Sequence, residues 1–235
     1  MCRRVGAFVM RCEIKVLIKL LVALGAVLVV PARAESYALI MTIGAYYGGA
    51  TPLQGSQHDI RSAQAIARKM GVKERNMLMY RDRQLTVDGI HKAFDALFAR
   101  LADNDQVFIY YSGHGGRARA SESESRCASA FVAVDSNWFM DEDIQKKLDL
   151  LKSKASRIVM MSDACYSGGV KTRALTSSYP RGLAPRFYAN ERADSCEIPI
   201  NIIEKNLQTQ TRGIGNGGGN FVYIAAAREN EVSWD

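Results

Sequence analysis

Cys165 is the residue of this chain best placed for covalent chemistry. It stands in Ser162-Asp163-Ala164-Cys165-Tyr166-Ser167-Gly168-Gly169, directly after the apolar run Ile158 to Met161. Such a run reads as a buried strand, and open α/β sheets carry their chemistry at strand ends. A thiol needs a nearby base to act as a thiolate at neutral pH. The chain offers one in a matching context: His114, in Tyr110-Tyr111-Ser112-Gly113-His114-Gly115-Gly116, after the apolar run Val107 to Tyr111. If the two runs are neighbouring parallel strands, His114 and Cys165 meet at one edge of the sheet. Glycine beside each residue lets a substrate backbone come close. The N–H groups of Gly115 and Cys165 are then natural donors to an oxyanion.

The elements that must position this pair follow in order. Tyr37 to Ile43 is a continuous apolar run and predicts a first buried strand. Gly44 to Gly55 reads as a loop. Asp59 is expected to cap a helix that carries Ile60, Ala63, Ile66, Ala67 and Met70 and stops at Gly71. Asn76 to Tyr80 predicts a second strand. Thr86 caps a longer helix, in which Val87, Ile90, Phe94, Leu97, Phe98 and Leu101 form an amphipathic stripe. Val107 to Tyr111 is the third strand. The polar, serine-rich stretch from Ala118 to Ser129 reads as a surface loop, and Ala130 to Val134 as half of a small hairpin. Asp141 opens a helix with Ile144, Leu148 and Leu151 inward. Ile158 to Met161 is the fourth strand and Phe221 to Ala226 the fifth, with a short helix expected over Ile198 to Leu207. Alternating strands and helices imply an α/β fold, a mostly parallel sheet with helices on both faces.

At this point the two motifs resemble the catalytic motifs of the caspase/metacaspase cysteine peptidases. The caspase spacing of about 50 residues from His to Cys is met by His114 and Cys165. The resemblance runs from about Tyr37 to Asp235 and implies a caspase-like three-layer sandwich, a His114/Cys165 dyad and peptide-bond hydrolysis through an acyl-enzyme. Caspases carry Gln two residues before the cysteine; Asp163 stands there in this chain, as in metacaspases, where it lines the pocket for the residue before the cut. Leu53-Gln54-Gly55-Ser56-Gln57-His58-Asp59 resembles a second metacaspase segment, with Ser56 in place of the usual Cys. It brings Asp59 to the same pocket, and Ser112 matches a third position. A pocket with two carboxylates favours Arg or Lys and disfavours Asp. The alternative from another class is an inactive caspase-like fold that serves as a binding or assembly module.

Many members of the family bind calcium through aspartates. Asp135, Asp141 and Asp143 stand as a remnant of such a set, but Thr172 occupies a position where a further Asp is expected. No cofactor is therefore expected, calcium being the one candidate, and no metal ligand is assigned. Residues 171–220 correspond to the linker that is often self-cleaved in this family. Arg173, Arg181, Arg186, Arg192 and Arg212 are the candidate cut sites there. The family continues with a further helix and strand after the segment that ends this sequence, so a shortened C-terminal edge is expected.

Residues 1–34 have the layout of a secretory signal peptide: a basic start, an apolar run from Val16 to Val30 broken by Lys19, and Pro31-Ala32-Arg33-Ala34 as a cleavage site. The peptidase domain is then 35–235, and its location periplasmic or secreted, with no membrane attachment after cleavage. The leader holds six basic residues against Glu13, leaving +2 of the net charge of +7 for the remainder. A remainder so close to neutral gives no reason to invoke nucleic acid; the expected partner is a peptide or protein substrate. The mature chain keeps Cys127, Cys165 and Cys196. Either Cys127 and Cys196 form a bridge, or all three are free thiols.

Overall fold

The apolar runs pair as parallel strands. A computed structural model describes residues 33–119, 127–164, 186, 188 and 220–225. Among them, strands β1 (Ser36–Thr42), β2 (Met77–Arg81), β3 (Gln106–Ser112), β7 (Arg157–Asp163) and β8 (Phe221–Ala225) form one sheet in the order β2-β1-β3-β7-β8. All four pairings in it are parallel. Side chains alternate between its faces. Ala38 and Ile40 pack on one side with Ala63 and Ala67 of α1 (Ser56–Lys69). Leu39 and Met41 pack on the other with Ile90, Phe94 and Leu97 of α2 (Val87–Arg100) and with Ile144, Leu148 and Leu151 of α3 (Asp141–Lys152). This gives helix–sheet–helix layers. Each fully buried Phe or Leu contributes on the order of 2 kcal/mol by leaving water.

Local signals explain the helix ends. Thr86 accepts the Gly89 N–H on its hydroxyl at 3.1 Å, as its sequence context predicts. Gly71 takes φ +82°. Its N–H reaches the Arg68 carbonyl and that of Val72 reaches Ala67, each at 3.0 Å. This is a Schellman motif, in which glycine carries the left-handed residue.

Two expectations are corrected. Asp59 does not cap its helix: α1 begins at Ser56 with Gly55 as its N-cap, so Asp59 lies in the first turn. Its carboxylate is engaged elsewhere, as described below. The stretch from Ala118 to Ser129 is not simply a surface loop. It contains the end of β4 (Gly115–Arg119) and the start of β5 (Cys127–Val132), which with β6 (Trp138–Met140) form a three-stranded antiparallel sheet in the order β4-β5-β6. The strand at Ala130 is therefore the middle one of three, extending back to Cys127. The small and polar residues Gly115, Gly116, Arg117 and Ser129 gave no apolar pattern to read. The expected helix at 198–207 lies outside the described residues, as do the leader up to residue 32 and all of 171–220 except Arg186, Tyr188 and Asn220.

Candidate active site

Strand register brings the two sequence motifs together. β3 and β7 pair from Gln106↔Arg157 to Ser112↔Asp163. His114 and Cys165 each follow two residues after the last of these pairs, at the same end of adjacent parallel strands. Cys165 itself, whose N–H is expected to be one of the two oxyanion donors, lies outside the described residues.

His114 is fully buried and held from three directions. Its Nε2 lies 2.7 Å from the Thr51 carbonyl oxygen. A carbonyl only accepts, so Nε2 carries the proton, and Nδ1 is the acceptor of the neutral ring. The His114 N–H donates to the Tyr46 hydroxyl at 2.7 Å, and the Tyr46 ring lies 4.8 Å from the imidazole, tilted by 51°. The Tyr111 hydroxyl donates to the His114 carbonyl at 2.8 Å, with the Val132 carbonyl also in reach at 2.9 Å. Tyr111 is in turn stacked on Phe131, 3.9 Å between ring centres. Gly113 must lack a side chain here. A Cβ would meet the Tyr111 hydroxyl at 2.7 Å and that of Tyr46 at 2.8 Å. Burial holds the Tyr46 phenol far above its ordinary range, so it stays neutral and keeps its role as acceptor.

None of Thr51, Tyr46 and Tyr111 was marked as functional by sequence reasoning. The only signal for Tyr46 is an aromatic pair, Tyr46-Tyr47, in a glycine-rich loop. Replacing Tyr46 by Phe removes the acceptor and leaves a buried N–H unpaired, a cost of about 1–3 kcal/mol. The Tyr46→Phe protein is expected to unfold at lower denaturant. If His114 is the base, Tyr46→Phe is also expected to lose about 10-fold in kcat with KM nearly unchanged, because the contact removed holds His114 and not Asp59, Ser112 or Asp163. Denaturant titration and steady-state kinetics check this; a loss confined to KM would contradict it.

Asp59, Ser112 and Asp163 do come together, and what they surround is Arg186. The guanidinium is 3% exposed. Its Nη2 lies 2.7 Å from Asp59 Oδ2, and its Nη1 lies 3.1 Å from Asp163 Oδ2. Nη1 also donates to Ser112 Oγ at 2.8 Å and to the Asp163 carbonyl at 3.2 Å. The Ser112 hydroxyl in turn donates to Asp59 Oδ2 at 2.6 Å. A planar guanidinium with separate N–H groups suits two carboxylates on different sides, which a single ammonium cannot match. Burial, and after it the charges of Asp59 and Asp163, push the Tyr110 phenol above its ordinary range. The Arg186 backbone is also held: its carbonyl oxygen accepts the Gly115 N–H at 3.0 Å.

The other marked residues lie apart from this cluster. Ser56 is buried, its hydroxyl 3.3 Å from the Leu53 carbonyl. A Cβ on Gly44 would meet that hydroxyl at 2.2 Å. Asp135 bonds the Asn137 side chain and N–H, and Asp143 pairs with Lys146 on the first turns of α3. Among the described residues no three His, Cys, Asp or Glu side chains gather as a metal site. Asp135, Asp141 and Asp143 are therefore not gathered in one such group.

Comparisons with known proteins agree with this architecture. A family model of the caspase domain, a peptidase family, matches residues 35–235. Metacaspase-6 of Arabidopsis thaliana is 30% identical over 134 residues, which cover 53% of this chain and 36% of that protein. Metacaspase-2 of Trypanosoma brucei brucei is 28% identical over 137 residues, covering 53% of this chain and 40% of its own. The chain thus spans well under half the length of these curated relatives. A solved structure of a Geobacter sulfurreducens protein superposes with a TM-score of 0.60 at 20% identity, covering 84% of this chain and 75% of that one; this likeness speaks to the fold alone. With helices on both faces of the sheet, Ser112 and Asp163 paired at one end of it and the caspase-domain model matching residues 35–235, the chain belongs to the caspase-domain family of cysteine peptidases.

Proposed function

We propose that the protein is a cysteine endopeptidase that hydrolyses peptide bonds after Arg, and less efficiently after Lys. The observation that carries this reading is Arg186: its side chain fills the pocket of Asp59, Ser112 and Asp163 while its carbonyl rests on the Gly115 N–H. A substrate Arg in the same place would present its carbonyl carbon to the thiolate of Cys165. Attack forms the C–S bond, and the oxyanion is held by the N–H groups of Gly115 and Cys165. His114 Nδ1, having taken the thiol proton, returns it to the leaving amine as the C–N bond breaks. Water then attacks the acyl-enzyme, with His114 as base, and releases a carboxylate and the thiol. The leader supports export to the periplasm or beyond.

The mature protein is expected to turn over fluorogenic peptides ending in Arg and Lys but not in Asp, and Cys165→Ala is expected to abolish this. Turnover that survives in Cys165→Ala, or a preference for Asp, would refute the reading.

A further inference from the structure

Gly115 uses both of its backbone groups on the segment that carries Arg186. It donates to the Arg186 carbonyl at 3.0 Å and accepts the Tyr188 N–H at 3.2 Å. This is one step of parallel strand pairing, and it fixes the direction in which the segment runs. The residue in the acidic pocket comes first. The residue two positions later follows, with its side chain at Trp138.

The Tyr188 and Trp138 ring centres lie 6.1 Å apart at 37°. Gly116, the next residue of β4, leaves room for both. A Cβ there would lie 2.0 Å from the Trp138 ring and 2.8 Å from the Tyr188 carbonyl oxygen. A Cβ on Gly49 would sit 3.6 Å from the Tyr188 hydroxyl, so that glycine flanks the far end of the ring. The backbone bonds are open to any sequence. The ring contact is not.

We propose that Trp138, with Gly116 and Gly49, forms a subsite that takes an aromatic side chain two residues after the bond that is cut. The preferred protein substrates then carry Arg-x-Tyr or Arg-x-Phe, with the cut after Arg. The inference rests on the reading that the pocket of Asp59, Ser112 and Asp163 holds the residue before the cut. Contact between two aromatic rings is favourable enough for a preference of about 3- to 10-fold.

Three internally quenched peptides test it with the mature full-length protein: Arg-Ala-Tyr, Arg-Ala-Ala and Ala-Ala-Tyr in a common flanking sequence. Turnover is read as the excess over Cys165→Ala. The expected result is a Tyr-over-Ala ratio in kcat/KM of about 3 to 10. That ratio is kept in Trp138→Phe and falls to near one in Trp138→Ala. Because it is a ratio within each variant, partial loss of folded protein does not distort it. A ratio near one in the wild type, with Arg still required before the cut, overturns the subsite and leaves the acidic pocket standing. A preference for Tyr that Trp138→Ala leaves intact overturns it as well. Cutting that ignores Arg, or no cutting of any peptide, overturns the pocket reading and this inference together.

Discussion

Asparagine in place of Asp59 is expected to lower kcat/KM for an Arg-ended peptide by about 30- to 3,000-fold, the range for removing one partner of a buried charge pair. The substitution keeps the shape of the side chain, and its amide oxygen still accepts the Ser112 proton that Asp59 Oδ2 takes at 2.6 Å. Only the charge facing Nη2 of the guanidinium at 2.7 Å is lost. The loss should be larger for Arg than for Lys. A guanidinium engages Asp59 and Asp163 with different nitrogens, whereas an ammonium is a single point of charge and engages both poorly from the start. The pocket's Arg-over-Lys ratio should therefore shrink in Asp59→Asn. Steady-state kinetics on the matched Arg and Lys peptides measure both numbers. A change of less than about 3-fold would place the charge outside the recognition step. An equal loss on a peptide with an uncharged residue before the cut would move the effect from the pocket to the scaffold.

Asp59 also shows how far the sequence could be read. Continuous apolar strands announce themselves because both faces of a parallel sheet are covered. The runs at Tyr37, Val107 and Ile158 accordingly match β1, β3 and β7 to within a residue or two. The run at Phe221 matches β8, the last strand of the described sheet, although Val222 and Ile224 are exposed there. The start of α1 did not, since Asp59 is by type the better cap and Gly55 the weaker one. The carboxylate that looked like a cap belongs to a contact with a residue 127 positions away. No periodicity reports such a distance. Asp59, Ser112 and Asp163 were marked by resemblance, yet which of five arginines stands among them was not legible, because it depends on how the chain returns after β7. The β4–β5–β6 sheet was hidden for a different reason. Its first strand opens with glycines whose value lies in what they admit: Gly115 in its backbone bonds to Arg186 and Tyr188, Gly116 in the space taken by Trp138. Thr51 acts through a carbonyl that every residue type carries, so composition could not have singled it out.

That carbonyl sets the terms of a second large effect. His114→Ala should lower kcat by about 10²- to 10⁴-fold, the usual contribution of a positioned acid–base group. The ring cannot turn freely in the wild type, because Nε2–H is committed to Thr51 at 2.7 Å and the imidazole is packed on Tyr46. With Nε2 so engaged, Nδ1 is the ring atom left to take a proton in the proposed reaction. Thiol reactivity separates this role from a structural one. In the wild type, an imidazolium beside the sulfur would favour the thiolate, so the rate of Cys165 alkylation by iodoacetamide should already be high near neutral pH. In His114→Ala the partner that favours the thiolate is gone, and the alkylation profile should shift to higher pH. Thr51 contributes only its backbone carbonyl to this contact, so a change at the Thr51 side chain should leave the profile in place. Should alkylation follow the same pH curve with and without the imidazole, His114 is not the base for Cys165, and the fall in kcat would have to come from loss of packing around Tyr46 and Tyr111.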